Sequence, residues 1–343
     1  KHPPFDYYTK EYEKGLQLYS KGVLIMDKCA ELLPDYFSFV KGLVDSEDLS
    51  LNISRETLQH DGQLKLIAKT LEKKIKSELE KMLRDEREAY EEFFKAFGIQ
   101  LKFGIYNDYG AHKGTLRDLL IFRSSNEKKY VTLKEYVSRM KEGQDSIYYA
   151  CGETDEKIDM LPQTDAVKDK GYEILYLTEN VDEFALKMLA EYDGKKFVNI
   201  CDNDLNLDSE DEKKALEEEN TAAKDMFEAM KESLGDKINA VRFTNKLKDH
   251  PVCLTSEGGI SLEMEKVLNS MPGAEQNKVK AQLVLEINAN HPIAEKLKTL
   301  YTEDKDTLGK YAKLLYGEAC LIGGKSVPDP AEHSALVCEL MTK

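Results

Sequence analysis

The chain has 343 residues, with 49 Lys and Arg against 64 Asp and Glu and a formal net charge of −15. That length holds two or three domains with sizeable cores, and the acidic balance disfavours an extended nucleic-acid footprint. No apolar run approaches the roughly 18 residues that span a bilayer and no signal-peptide pattern opens the chain, so a membrane partner is not expected. The six cysteines, at 29, 151, 201, 253, 320 and 338, contain no C-x-x-C pair. Widely scattered among apolar neighbours, they read as reduced, mostly buried thiols and a cytoplasmic location.

Residues 1–22 are rich in Tyr and Lys and irregular, and Val23–Met26 reads as a short buried strand. Ala30–Leu33 reads as a turn and Tyr36–Val44 as a strand or loop. From Leu64 the residues Ile67, Leu71, Ile75, Leu79 and Met82 recur at helical spacing with charges between them. Asp61-Gly62 marks a kink or break in that stretch. A further helix carries Tyr90, Phe93, Phe94 and Phe97 as a core stripe, with Gly98 as its C-terminal stop. Residues 99–200 alternate strand and helix signals, which predicts a small α/β module. Its strands are Leu119–Phe122, Ile147–Cys151, Tyr172–Leu177 and Phe197–Ile200. One helix opens on the capping box Thr132-Leu133-Lys134-Glu135, and another covers Val181–Leu189. Gly152 follows a strand, but no G-x-G-x-x-G or P-loop is present, so a nucleotide-binding fold is rejected.

Residues 201–223 are acidic and read as a solvated linker leading into a helix over 221–234. Asp202, Asp204, Asn206, Asp208 and Glu210 mimic a calcium loop. Its sixth and twelfth positions need glycine and a bidentate acid but hold Leu207 and Lys213, so no metal is expected. Strands at Ala240–Leu247, Val252–Ser256 and Leu283–Ile287 follow, with helices at 260–271, after His291-Pro292, at 304–322 and at 329–342. The last two carry Leu308, Tyr311, Leu315, Ala319 and Ile322, then Leu336, Val337, Leu340 and Met341. Little else in the chain is left to cover both limbs, and pairing with a second copy into a four-helix bundle would bury them as a homodimer interface. In Ile260–Met271 the residues Ile260, Met264, Val267, Leu268 and Met271 share one helical face between Gly258-Gly259 and Pro272-Gly273. That face either packs into its own domain or offers an adaptable, methionine-rich patch to partners.

One stretch has a charge in an unusual place. Residues 45–60 are an acidic loop running into a helix start, with Ser54 as N-cap and Glu56 in the first turn. Arg55 sets a cation at a helix N-terminus, which costs about 0.3–1 kcal/mol unless an anion meets it. The anion is either a surface carboxylate, Asp45, Glu47 or Asp48, or a phosphate. Gln59 lies one turn on, on the same face. No Ser-His-Asp, Cys-His or metal-ligand cluster supports an independent enzyme.

The runs Lys-Gly-Leu-Val-Asp-Ser-Glu-Asp-Leu at 41–49 and Leu-Asn-Ile-Ser-Arg-Glu at 51–56 resemble the catalytic-loop region of the ninety-kilodalton heat-shock chaperone family, closest to its bacterial branch. Pro4-Phe5-Asp6 and Val23-Leu24-Ile25-Met26-Asp27 upstream resemble its middle domain. Leu285-Glu286-Ile287-Asn288-Ala289-Asn290-His291-Pro292 resembles a signature of its C-terminal domain, with Ala289 where proline is usual. The likeness is collinear over essentially the whole chain. It implies an α/β (α+β overall) fold in three parts: residues 1–98 from the large middle-domain module, 99–207 as its small α/β module, and 208–343 as a C-terminal dimerisation domain ending in a helical hairpin. It implies a homodimeric, ATP-dependent chaperone that binds non-native client proteins, with co-chaperones as further partners. Arg55 and Gln59 become catalytic residues, Arg55 reaching the γ-phosphate of ATP. The ATP and Mg would be held by an N-terminal domain expected to be missing here, so this chain alone is not expected to hydrolyse ATP. Glu183 and Phe184 match an acid and an aromatic at a client-facing surface, Phe184 standing for tryptophan; an ordinary core phenylalanine is the alternative. Ile260, Met264, Val267, Leu268 and Met271 become client-binding. The alternative function is a dimeric interaction scaffold with no ATP linkage.

Overall fold

A computed structural model describes residues 12–49, 62–202, 205 and 207–342, in a mixture of helices and sheets. By internal contacts it falls into two units. One gathers the described residues up to Phe122 with Tyr130–Ser138 and Val181–Tyr192; the other holds Arg123–Lys129, Arg139–Asn180 and the chain from Asp193 onward.

In the first unit, strand β1 (Leu16–Ser20) buries Leu16, Leu18 and Ser20 in alternation. It pairs antiparallel with β2 (Val23–Cys29) and parallel with β3 (Leu43–Asp45). The β1–β2 turn is Lys21-Gly22, both at positive φ (50° and 77°), the handedness that matches strand twist in a two-residue hairpin. The strand expected at Val23–Met26 is present, but it is not buried: Val23 and Leu24 are 52% and 48% exposed. β2 is the sheet edge, and the central β1 takes the core position. Helix α1 (Gly62–Asp85) lays Leu64, Ile67, Leu71 and Ile75 over that core.

Helix α2 (Arg87–Asn107) runs through Gly98 rather than stopping there. A Cβ at Gly98 would stand 2.7 Å from the Phe94 ring, and one at Gly104 would stand 2.5 Å from Tyr36 Cβ. Both glycines admit close side-chain approach, which outweighs the roughly 1 kcal/mol penalty of glycine within a helix. The Thr132–Glu135 capping box forms reciprocally at 3.0 and 2.7 Å. The same Glu135 carboxylate also pairs with Arg87 at 3.2 Å.

In the second unit, β4 (Ser146–Cys151) lies parallel to β5 (Ile174–Leu177) and β6 (Lys195–Asn199), with helices α3 (Asp155–Asp159) and α4 (Gln163–Asp169). Arg123 and Ser124 pair antiparallel with Tyr176 and Leu175. The continuous apolar run of β5 is buried along its whole length, as parallel strands covered on both faces require. The expected helix over 221–234 is two helices, α5 (Glu210–Ala222) and α6 (Lys224–Leu234), separated at Ala223. Ser209 and Glu212 form a capping box that starts α5 within the stretch read as linker. No residue of α5 is fully buried, whereas α6 buries Met226, Phe227, Met230 and Leu234.

A second sheet follows, built from β7 (Ala240–Thr244), β8 (Val252–Glu257) and, after helix α7 (Leu262–Ser270), β9 (Gln282–Asn288). Its order is β7-β9-β8, with β7 parallel and β8 antiparallel to β9. Helix α8 (Pro292–Glu303) is capped by His291, whose Nδ1 accepts from the Ile293 N–H at 3.1 Å, with Pro292 in its first turn. Helices α9 (Lys305–Ile322) and α10 (Pro330–Met341) close the chain, capped by Asp304 and Asp329. The apolar faces of α6, α8 and α9 meet on this sheet in one core.

Candidate functional site

Helix α7 has glycines in left-handed backbone on both sides, Gly258 (φ 83°) and Gly273 (φ 87°), and a serine N-cap, Ser261, accepting from Met264 N–H at 3.1 Å. Its predicted apolar face is divided. Val267 is buried, Ile260 packs against the C-terminal core, Met264 and Leu268 are half-buried, and Met271 is 44% exposed. The glycine boundaries suggest a loosely held helix, but polar contacts tie it down. Glu265 accepts from Ala281 N–H at 2.8 Å and pairs with Lys325 at 3.0 Å, and Asn269 bonds both the N–H and the carbonyl of Val279. Lys266 reaches Glu153 at 3.0 Å, and together with Lys157 it holds that exposed carboxyl at about 2.

The terminal hairpin is likewise divided. Leu308, Leu315 and Ala319 are buried in the chain's own core, where α9 lies between α6 and β8, and Tyr311 packs partly buried against it. The expectation that little else in the chain is left to cover both limbs is corrected for these four, because the sheet and α6 cover that side of α9. Leu336 is buried against α9, while Ile322, Val337 and Leu340 are half-buried and Met341 is 81% exposed. Leu321, which the helical stripe omitted, is 56% exposed. The two limbs are joined by Lys313–Glu332 at 2.7 Å, Lys310–Glu339 at 2.5 Å and His333–Glu318 at 3.1 Å. Gly317 lets the His333 ring lie against α9, since a Cβ there would stand 2.3 Å from His333 Nδ1.

Glu183 and Phe184 lie in the first unit, on the helix Asp182–Leu189, and both are buried, with 4% and 7% exposure. Phe184 meets Tyr106 edge-on at 5.4 Å, a packed aromatic pair. Beside it, Asp182 pairs at 2.5 Å with Lys102, itself buried between the Phe94 and Phe122 rings. Arg55 and Gln59 lie outside the described residues. Cys29, Cys253 and Cys320 are buried as expected, whereas Cys338 is exposed.

Sequence reasoning missed the ionic centre of the second sheet. Glu286 is 1% exposed and accepts from Arg242 Nε at 2.9 Å, with Lys246 at 3.6 Å and Arg242 also pairing with Glu257 at 3.2 Å. Burial, then the Glu286 charge, pushes the Cys253 thiol well up. The signal was a single charge inside each of two apolar strands, Val-Arg-Phe and Leu-Glu-Ile, which register directly opposite each other.

A chain with a charged sheet centre, a methionine-bearing capped helix and terminal helices that keep some apolar residues exposed is a modular α+β protein with two candidate association faces. The Hsp90 protein family model matches residues 1–343, and the chain belongs to that family. It is 58% identical over 338 residues to the chaperone protein HtpG of Bacillus subtilis (strain 168) and to that of Clostridium perfringens (strain 13 / Type A). It is 57% identical over the same length to the chaperone protein HtpG of Alkaliphilus oremlandii (strain OhILAs). Each likeness covers 98% of this chain and 54% of the relative, so the chain spans about half the length of the curated relatives it matches. Nothing in these likenesses supports a scaffold without ATP linkage. Among the described residues no helix is long and apolar enough to cross a membrane.

Proposed function

We propose that this chain is the client-holding and self-associating portion of a homodimeric, ATP-dependent chaperone. The family match over residues 1–343 carries the reading. Exposed apolar side chains at Met271, Leu321 and Met341 support it, because they leave α7 and the two terminal helices with surface to offer. On this reading Met264, Leu268 and Met271 contact non-native clients, with Val267 and Ile260 anchoring the helix beneath them. Leu321, Leu340 and Met341 meet a second copy.

ATP is the substrate of the longer protein, held with Mg outside the described residues. Among these, no group of three or more His, Cys, Asp or Glu could hold a metal ion. Arg55 and Gln59 are the residues of this chain directed at its terminal phosphate. The three-part division at residues 98 and 207 belongs to the same proposal.

Suppression of aggregation of a thermally denatured test protein checks the client face. Leu268→Ser with Met271→Ser should weaken suppression several-fold while the melting temperature stays within a few degrees, since each covered apolar side chain contributes on the order of 1–2 kcal/mol to binding. Unchanged suppression, or a collapse in melting temperature, contradicts the assignment.

A further inference from the structure

Helix α7 is held in the second unit by few side chains. Val267 is its one fully buried residue, and Leu262 packs partly buried against the core. Ser261 and Asn269 make local ties, to the Met264 N–H and to Val279 in the segment that leaves the helix. Among the described residues two ion pairs join α7 to distant parts of the chain, Lys266 with Glu153 and Glu265 with Lys325. Both side chains of the first are about half exposed, so water screens it and it holds little. Glu265 is different. Its side chain is 15% exposed, and its two oxygens are divided between the Ala281 N–H at 2.8 Å and Lys325 Nζ at 3.0 Å.

The position of Lys325 is set by α9. That helix ends in Gly323-Gly324, with Gly324 in left-handed backbone (φ 69°). The Gly323 N–H donates to the Ala319 carbonyl at 3.0 Å and the Lys325 N–H to the Cys320 carbonyl at 2.8 Å. These bonds fold residue 325 back onto the helix as part of its C-terminal cap. Ala319 and Cys320 are themselves buried in the core. The ammonium therefore moves with α9, and a cation there also suits a helix C-terminus.

We propose that Lys325 is a positioning residue, a latch that carries the state of α9 and α10 to α7. With the pair made, α7 stays seated and Met264 and Leu268 remain half-buried. With it broken, the Glu265 carboxylate keeps the Ala281 N–H alone in a poorly hydrated place, and α7 opens on its flanking glycines, Gly258 and Gly273. Whatever steadies the end of α9 then steadies α7. On the reading above, on which this last step rests, that is a second copy meeting α9 and α10, so self-association governs how far the α7 face opens.

Amide hydrogen exchange over residues 260–271 of the full chain tests this, with sedimentation run at the same concentrations. In the parent chain, exchange in α7 should slow several-fold as the chain associates. Lys325→Met keeps a long side chain and loses its charge. In that variant α7 should exchange several-fold faster and without concentration dependence, while sedimentation and exchange in β9 stay as in the parent. Lys325→Arg should restore the parent behaviour. A merely structural lysine would alter β9 along with α7. The proposal is overturned if Lys325→Met leaves α7 exchange unchanged, if it speeds β9 equally, if arginine fails to restore protection, or if α7 exchange in an associating parent ignores concentration. A parent that never associates refutes the second-copy reading instead, and the methionine variant still decides the latch.

Discussion

Glu286 shows how much one side chain settles. It sits mid-strand in β9, almost fully buried, with Arg242 and Lys246 closing around it and the Cys253 thiol at 3.9 Å. A carboxylate so placed is tolerated because two cations and good hydrogen-bond geometry offset its desolvation. Replacing it with glutamine removes the carboxylate that both Arg242 and Lys246 face. Arg242 keeps Glu257, and its side chain is a quarter exposed, so its share of the loss is smaller. Glu286→Gln should therefore cost about 3 kcal/mol, the low end for breaking a buried pair; denaturant unfolding of the second unit measures it, and a change within ~0.5 kcal/mol would show the network to be solvated. Phe184 makes the opposite point. Its aromatic neighbour Tyr106 is far away in sequence, so no local pattern could tell a core phenylalanine from a surface one.

At the scale of elements, the helices were legible wherever an apolar period met a cap. The stretches 304–322 and 329–342 match α9 and α10 to within a residue or so, because Asp304 and Asp329 cap them and Gly323-Gly324 separates them. What the pattern could not show is which neighbour covers which stripe. The apolar period assigns Leu308, Leu315 and Ala319 to a partner, yet the sheet and α6 lie against that face. The break at Ala223 was hidden for a related reason: helical propensity continues through Asn-Thr-Ala-Ala, and the two axes separate only because α6 turns into the core while α5 stays solvated. The α9–α10 crossing depends on Gly317. Gly317→Ala would drive a methyl into the His333 ring and should cost about 1–3 kcal/mol through overpacking. Because α10 then shifts on α9, self-association should weaken as well. An alanine variant with unchanged stability and unchanged association would show that His333 moves aside without consequence.

For the whole molecule, the charge on the chain and the placement of its exposed apolar residues fit a protein that stays soluble while keeping a few association surfaces open. If the proposed role of Arg55 holds, Arg55→Ala in a chain of the relatives' full length should lower ATP turnover about tenfold or more with a smaller change in nucleotide affinity, as loss of a contact made in the transition state requires. Steady-state hydrolysis beside nucleotide titration separates the two, and unchanged turnover would make Arg55 a surface ion-pair partner. On the proposed reading the chain associates with a second copy through its terminal helices, α9 and α10. Sedimentation equilibrium of the chain and of its Leu340→Glu, Met341→Glu variant tests this most directly. Twice the chain mass is expected for the former and a folded monomer for the latter. A monomeric parent chain at tens of micromolar, or a variant that stays dimeric, would contradict it.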